Sequence, residues 1–278
     1  MNEVSKSIDW LFQNLSRTDV KVLDATLPKV GMSDDPDEFI MGIPGAIKMD
    51  LKKEFIDIEA QYPNTMPGPD QFEKSARALG INHSDTIIVY DRHGIYSSPR
   101  AWWLFKIMGH KQVFILDGGL PGWVNEGHPI EEINNTKKEN GNFTVDPDAG
   151  KMVDYTYVLN GIGRKDMQII DARSAGRFTG EEPEPRKDMR GGHIPTSTNI
   201  PISKVLEGGR FKSDDELLQV FKAAKAENKE LVFSCGSGIT ACVLAAAAKK
   251  IGFEDIRVFD GSWTEWALRE ELPVVKGA

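Results

Sequence analysis

The sequence predicts an α/β protein of two tandem domains, each a mainly parallel sheet flanked by helices. Three observations carry that expectation. Short apolar runs of strand length alternate with stretches of helical period, the pattern of parallel strands joined by crossover helices. A series of landmarks in the first half returns in the same order in the second, each pair separated by roughly the same length of chain, which marks a duplication. Between the halves, residues 131–150 are polar, rich in Asn, Gly and Asp, and follow neither period, so they are expected as a linker. The domains are therefore expected at 1–130 and 151–278.

Taken in order, the first half should open with a short helix over 8–15, Ser7 as its cap, and the strand KVLD ending at Asp24. The second half opens alike, with VDYTYVLNGI followed by the strand MQIIDAR, so that Asp24 matches Asp171. IPGAIKMDL then pairs with IPTSTNIPI, each a turn leading into a short extended segment. A helix follows in both halves: Asp70 with Glu73 should open one that Gly80 stops, and Ser213 with Glu216 forms a capping-box pattern for the other. TIIVYD pairs with LVFSC, which sets Asp91 opposite Cys235. Ser98 should cap the next helix, with Pro99 at its first position and Trp102 and Trp103 in its core face. VFILDGG and RVFDGS close the repeat, with Trp123 matching Trp266.

Composition excludes several classes of function. With 278 residues, 40% hydrophobic and 27% charged, the chain can bury two ordinary cores and is not disordered. A net charge of −8 argues against nucleic acid or an anionic membrane surface as partner. No apolar run reaches membrane-spanning length and the N-terminus lacks a signal pattern, so the cytoplasm is the expected location. Two cysteines form no disulfide framework, and the scattered His and Cys residues have no metal-ligand spacing, so neither a metal nor another cofactor is expected.

The chemistry is expected at LVFSCGSGITAC. An apolar strand delivers Cys235 to a tight loop, and the small-residue run 241–248 follows as a helix. Gly236 and Gly238 allow backbone angles that let successive amides converge on the sulfur. The amides matter more than the helix dipole. A helix terminus supplies about 0.3–1 kcal/mol toward an anion, whereas a hydrogen bond to a charged group supplies about 1.5–3. The segment is therefore an anion cradle with a nucleophile in it. Cysteine phosphatases share that logic, but their loop is one residue longer and ends in an arginine, where this chain has Ala241.

CGSGITAC resembles the active-site loop of the rhodanese superfamily, in its two-domain 3-mercaptopyruvate and thiosulfate sulfurtransferases, and the similarity covers nearly the whole chain. The resemblance implies two rhodanese-like domains with catalysis in the second, at the cleft against a catalytically silent first. It implies a persulfide on Cys235, held by the amides of Gly236, Ser237, Gly238, Ile239 and Thr240, with Ser237 assisting proton movement. Arg177 and Arg186, in GRFTGEEPEPR, resemble the family's arginine pair that binds the donor's carboxylate and keto oxygen, a task suited to a planar guanidinium. Thiosulfate-preferring members commonly carry basic side chains at the two positions after the cysteine; Gly236 and Ser237 there favour a mercapto-acid. The expected partners are a small anionic sulfur donor and a cyanide or thiol acceptor, thioredoxin-like proteins included. Thiosulfate:cyanide transfer, or a non-enzymatic sulfur carrier, are the alternatives.

Two positions depart from the family pattern. Family members often carry a histidine before the first-domain IPGA, where this chain has Gly42 with Asp34, Asp35 and Asp37 nearby, and a His-Met pair where it has Thr65-Met66. A serine relay through that histidine is therefore not expected. His193 should brace its turn, and Cys242 should be a packing residue.

Overall fold

The computed structural model describes residues 3–29, 32, 41–133 and 139–277. Asp34, Asp35 and Asp37 lie outside them. Among the described residues the main sheets are two five-stranded parallel ones, beside two short antiparallel pairs, Met41–Gly42 with Glu131–Glu132 and Leu206–Glu207 with Arg210–Phe211. The first runs Ser5–Lys6, Val113–Leu116, Thr86–Tyr90, Val20–Asp24, Ile47–Lys48. The second has the same order when taken from the matching edge: Met152–Val153, Ile256–Phe259, Glu230–Ser234, Met167–Asp171, Thr198–Asn199. Register repeats as well. Asp24 lies opposite Tyr90, and Asp171 opposite Ser234, so Asp91 and Cys235 leave the carboxyl ends of equivalent central strands. In open parallel sheets that end is where ligands bind.

Both faces of each sheet are buried, which is why the strands are apolar throughout. Successive residues alternate between clusters: Ile87 and Val89 face one, Ile88 and Tyr90 the other. Leu231 and Phe233 join the same cluster as Ile87, so the inner faces of the two sheets share one core. The helices Ser98–Ile107 and Ala241–Lys250 pack on each other there. All of residues 241–248 are buried, and so are Trp102 and Trp103. An alanine-rich helix buried all round fits a seam between domains, since small side chains let a neighbouring helix approach.

Capping follows the sequence in part. Ser7 accepts from the Trp10 amide at 3.1 Å and the first helix spans Ile8–Asn14. Ser213 and Glu216 form the full capping box of helix Asp214–Ala223. Two helix starts differ from expectation. The helix Pro69–Ala78 takes Gly68 as its cap, which has no side chain to offer, and Asp70 falls inside the first turn; Glu73 pairs with Arg77 and accepts from the Val145 amide. Ser98 is not a cap but the first helical residue; Ser97 precedes it, and the Ser98 hydroxyl donates to Asp91 at 2.7 Å.

The segment between the halves is tied to the first. Phe143 is fully buried in the shared core, and the amides of Gly141, Asp146 and Asp148 donate to carbonyls of Arg77, Met108 and Ile107. Among the described residues no helix is long and apolar enough to cross a membrane.

Candidate active site

Strand Glu230–Ser234 is buried along its length and ends at Cys235, itself 2% exposed. The loop that follows is held from behind. The Cys235 carbonyl accepts from the Trp263 amide at 2.9 Å, and the Gly236 carbonyl accepts from the Thr264 amide at 3.0 Å and its hydroxyl at 2.6 Å. Gly238 has φ +79, and its carbonyl accepts from Arg100 Nη1 at 3.4 Å and from the Cys242 thiol at 3.3 Å. A Cβ there would come within 2.8 Å of the Asp260 carbonyl oxygen, so both space and backbone angle select glycine. With its carbonyls engaged outward, the loop leaves the amides of residues 236–240 without a protein acceptor among the described residues.

The first domain shows what such a loop does with an anion. Asp91 Oδ2 accepts from the amides of Tyr96, Ser97 and Ser98 at 2.8, 3.0 and 2.9 Å, as well as from the Ser98 hydroxyl. That cradle is filled by the protein's own carboxylate. At the equivalent strand end the second domain presents a sulfur in its place.

Cys235, Gly236, Ser237, Ile239, Thr240, Arg177 and Arg186 all line one cleft of about 610 Å³. Leu27, Asn64 and Tyr96 of the first domain form its opposite wall. Gly238 does not line it; its carbonyl is turned toward Arg100. The two arginines are held differently. Arg177 is paired with Glu184 at 2.6 Å, and Glu184, its side chain 1% exposed, also pairs with Arg173, which pairs in turn with Asp171. Arg186 donates to the Thr264 hydroxyl at 2.7 Å and makes no ion pair among the described residues. Burial, and then the neighbouring Arg177 charge, holds its pKa below the ordinary arginine value. A cation without a carboxylate partner among the described residues is the group best placed to take one from an anion in the cleft.

Sequence reasoning missed Glu184, although it lies inside the arginine-bearing stretch, and it missed Asn64, one residue before Thr65-Met66. Asn64 Nδ2 donates to Ser237 Oγ at 2.8 Å and to the Ser237 carbonyl at 3.2 Å. Gly42, where the resemblance expects a histidine, is absent from the cleft lining. A Cβ at Gly42 would lie 2.5 Å from the Tyr90 hydroxyl and 2.8 Å from the Ile133 side chain, so any larger residue there would require those side chains to move. His193 is stacked on Phe178 and its Nδ1 faces the Phe178 carbonyl at 2.9 Å, which braces the turn. Burial pushes the Cys242 thiol up to about 12, leaving it a neutral packing group. Among the described residues one trio could hold a metal, Asp9, Glu126 and His128; it does not line the cleft, and Glu126 is paired with Arg210.

The model of the rhodanese-like domain matches twice, at residues 7–126 and 154–269. The chain is 35% identical over 270 residues to 3-mercaptopyruvate sulfurtransferase of Escherichia coli K12, covering 96% of this chain and 95% of that protein. It is 36% identical over 275 residues to the Mus musculus protein of the same name, covering 95% and 92%. The fold superimposes on the crystal structure of SseA from Escherichia coli, described as a 3-mercaptopyruvate sulfotransferase, with TM-score 0.85 at 32% identity, over 94% of this chain and 99% of that one. Together with the repeated strand order and the cysteine loop at its second copy, these matches show that the chain belongs to the rhodanese family, as a tandem pair of rhodanese-like domains.

Proposed function

We propose that this protein is a sulfurtransferase that takes sulfur from 3-mercaptopyruvate onto Cys235 and passes it to cyanide or a thiol. The observation that carries the reading is that Cys235 and Arg186 line one cleft and that the amides of residues 236–240, directly after the cysteine, have no protein acceptor among the described residues. The Cys235 thiolate attacks the donor's sulfur. As the S–S bond forms, the carbon–sulfur bond breaks and its electron pair passes into the enolate of pyruvate. The proton from the donor's thiol ends on that enolate's carbon, so pyruvate leaves and an anionic persulfide remains. The loop amides stabilise that anion, as their counterparts stabilise the Asp91 carboxylate. The acceptor then attacks the outer sulfur, and the thiolate is restored.

Arg186 binds the donor's carboxylate and Arg177, steadied by Glu184, faces the keto oxygen. Ser237 donates toward that oxygen as negative charge develops on it. Glycine and serine after the cysteine supply no second cation for a dianion, which favours the mercapto-acid over thiosulfate. Both cysteines are free, which suits a reducing compartment such as the cytoplasm, where a thiol such as a thioredoxin-like protein is at hand as acceptor.

Turnover with each donor, cyanide as acceptor and Cys235→Ser as control, tests the reading. Preference for mercaptopyruvate and an inert Cys235→Ser variant are the expected results. Preference for thiosulfate would overturn the donor assignment while keeping the persulfide, and substantial activity without Cys235 would overturn the mechanism.

A further inference from the structure

We propose that Asn64, supplied by the first domain, is the positioning residue that aims the Ser237 hydroxyl into the cleft as a hydrogen-bond donor, and that it does so without titrating. The inference rests on the reading that Ser237 donates toward the donor's oxygen. The direction of the contact follows from chemistry. Asn64 faces the Ser237 carbonyl as well as its hydroxyl, and a carbonyl only accepts, so the amide must present its NH₂ group to both. Ser237 Oγ is therefore an acceptor from Asn64, and no other protein group among the described residues bonds to it. Its own proton is left to point into the cleft that Ser237 and Asn64 both line.

Asn64 is itself held in one place. It has φ +62, a left-handed conformation that asparagine adopts more readily than most residues. Its carbonyl accepts from Arg100 Nη2 at 2.7 Å, and the same nitrogen pairs with Asp260 at 2.7 Å. Asp260 also accepts from the Met66 amide at 2.8 Å, while Arg100 Nη1 reaches the Gly238 carbonyl in the cysteine loop. One buried guanidinium thus grips both sides of the Asn64–Ser237 contact across the domain boundary. A side-chain amide does not ionise, so the serine keeps its donor role over the whole working pH range.

The isosteric Asn64→Asp variant tests this. Once ionised, the carboxylate that the substitution introduces can only accept, so it captures the Ser237 proton and removes it from the donor's oxygen. Turnover of mercaptopyruvate at pH 8 should then fall about a hundredfold in kcat, the lower end of what a positioned proton donor contributes. It should recover as pH is lowered through that ionisation, a limb the unaltered protein lacks. In a Ser237→Ala background the same substitution should change kcat by less than about twofold and add no limb, since the two act as one unit. Thermal unfolding of each variant separates misfolding from misplacement. A loss that ignores pH and persists without Ser237, or no loss at all, overturns the assignment to Asn64 alone. Silence of the unaltered protein with mercaptopyruvate takes down the donor reading and this inference with it.

Discussion

Arg186 and Arg177 stand nine residues apart in one loop, yet their surroundings assign them different work. Arg177 shares the Glu184 carboxylate with the fully enclosed Arg173, so its charge is largely answered within the protein. Arg186 makes no ion pair among the described residues and donates to a threonine hydroxyl. Replacing Arg186 by Met should therefore raise KM for mercaptopyruvate about tenfold to a hundredfold, the worth of a hydrogen bond to a charged group, with kcat changed much less. Steady-state kinetics over a range of donor concentration decide this; an unchanged KM would move the carboxylate site to Arg177. That both arginines would reach the cleft was legible from their motif. Their unequal freedom was not, because a carboxylate two residues before Arg186 in sequence turns out to be bonded to Arg177 and Arg173 instead.

Among the elements, local signals held where nothing distant competed for the capping group. Ser213 and Glu216 satisfy each other at the solvent-exposed start of their helix. Ser213→Ala should lower stability by about 1 kcal/mol, measured as a shift in denaturant midpoint, and leave turnover unchanged. Ser98 failed as a cap because Asp91, across the loop, takes its hydroxyl. Asp70 failed because the helix begins one residue earlier, at Pro69, which leaves Glu73 to pair with Arg77 and the Val145 amide. The two strand-end loops share this lesson. Their equivalence was legible from the repeat, but only the fold reveals that three amides of the first already hold Asp91, which explains why that domain carries an ordered loop and no nucleophile.

In the molecule as a whole, the first domain contributes more than a wall. The shared core and the Arg100–Asp260 pair join it to the cysteine loop, with Arg100 only 2% exposed. Burial in this domain also makes stability depend on pH. His110 is 1% exposed, its Nε2 faces the Asn82 carbonyl at 3.2 Å, and its Nδ1 has no partner among the described residues. Burial above all, with help from His83 and Lys106, holds its pKa below the ordinary 6.5, against the opposing pull of the Asn82 carbonyl and Asp85. Between the folded and unfolded values the unfolded chain binds more protons, so stability rises with pH there and is lost as pH falls below about 6.5. His110→Gln should flatten that limb of a plot of unfolding free energy against pH. An unchanged slope would assign it to other groups.

The sequence by itself determined the duplication, the α/β class, the strand that ends at Cys235 and the glycine loop around it. These depend on periodicity, on backbone angles and on residues close in the chain, all of which are written locally. The tertiary structure alone decided the partners. Which arginine Glu184 answers, that Tyr90 and Ile133 crowd Gly42, and that Asn64 from the other domain reaches Ser237 depend on how side chains meet in space and not on their spacing in the chain. Hydrogen bonds and ion pairs act over a few ångströms of space, whatever the length of chain between their members.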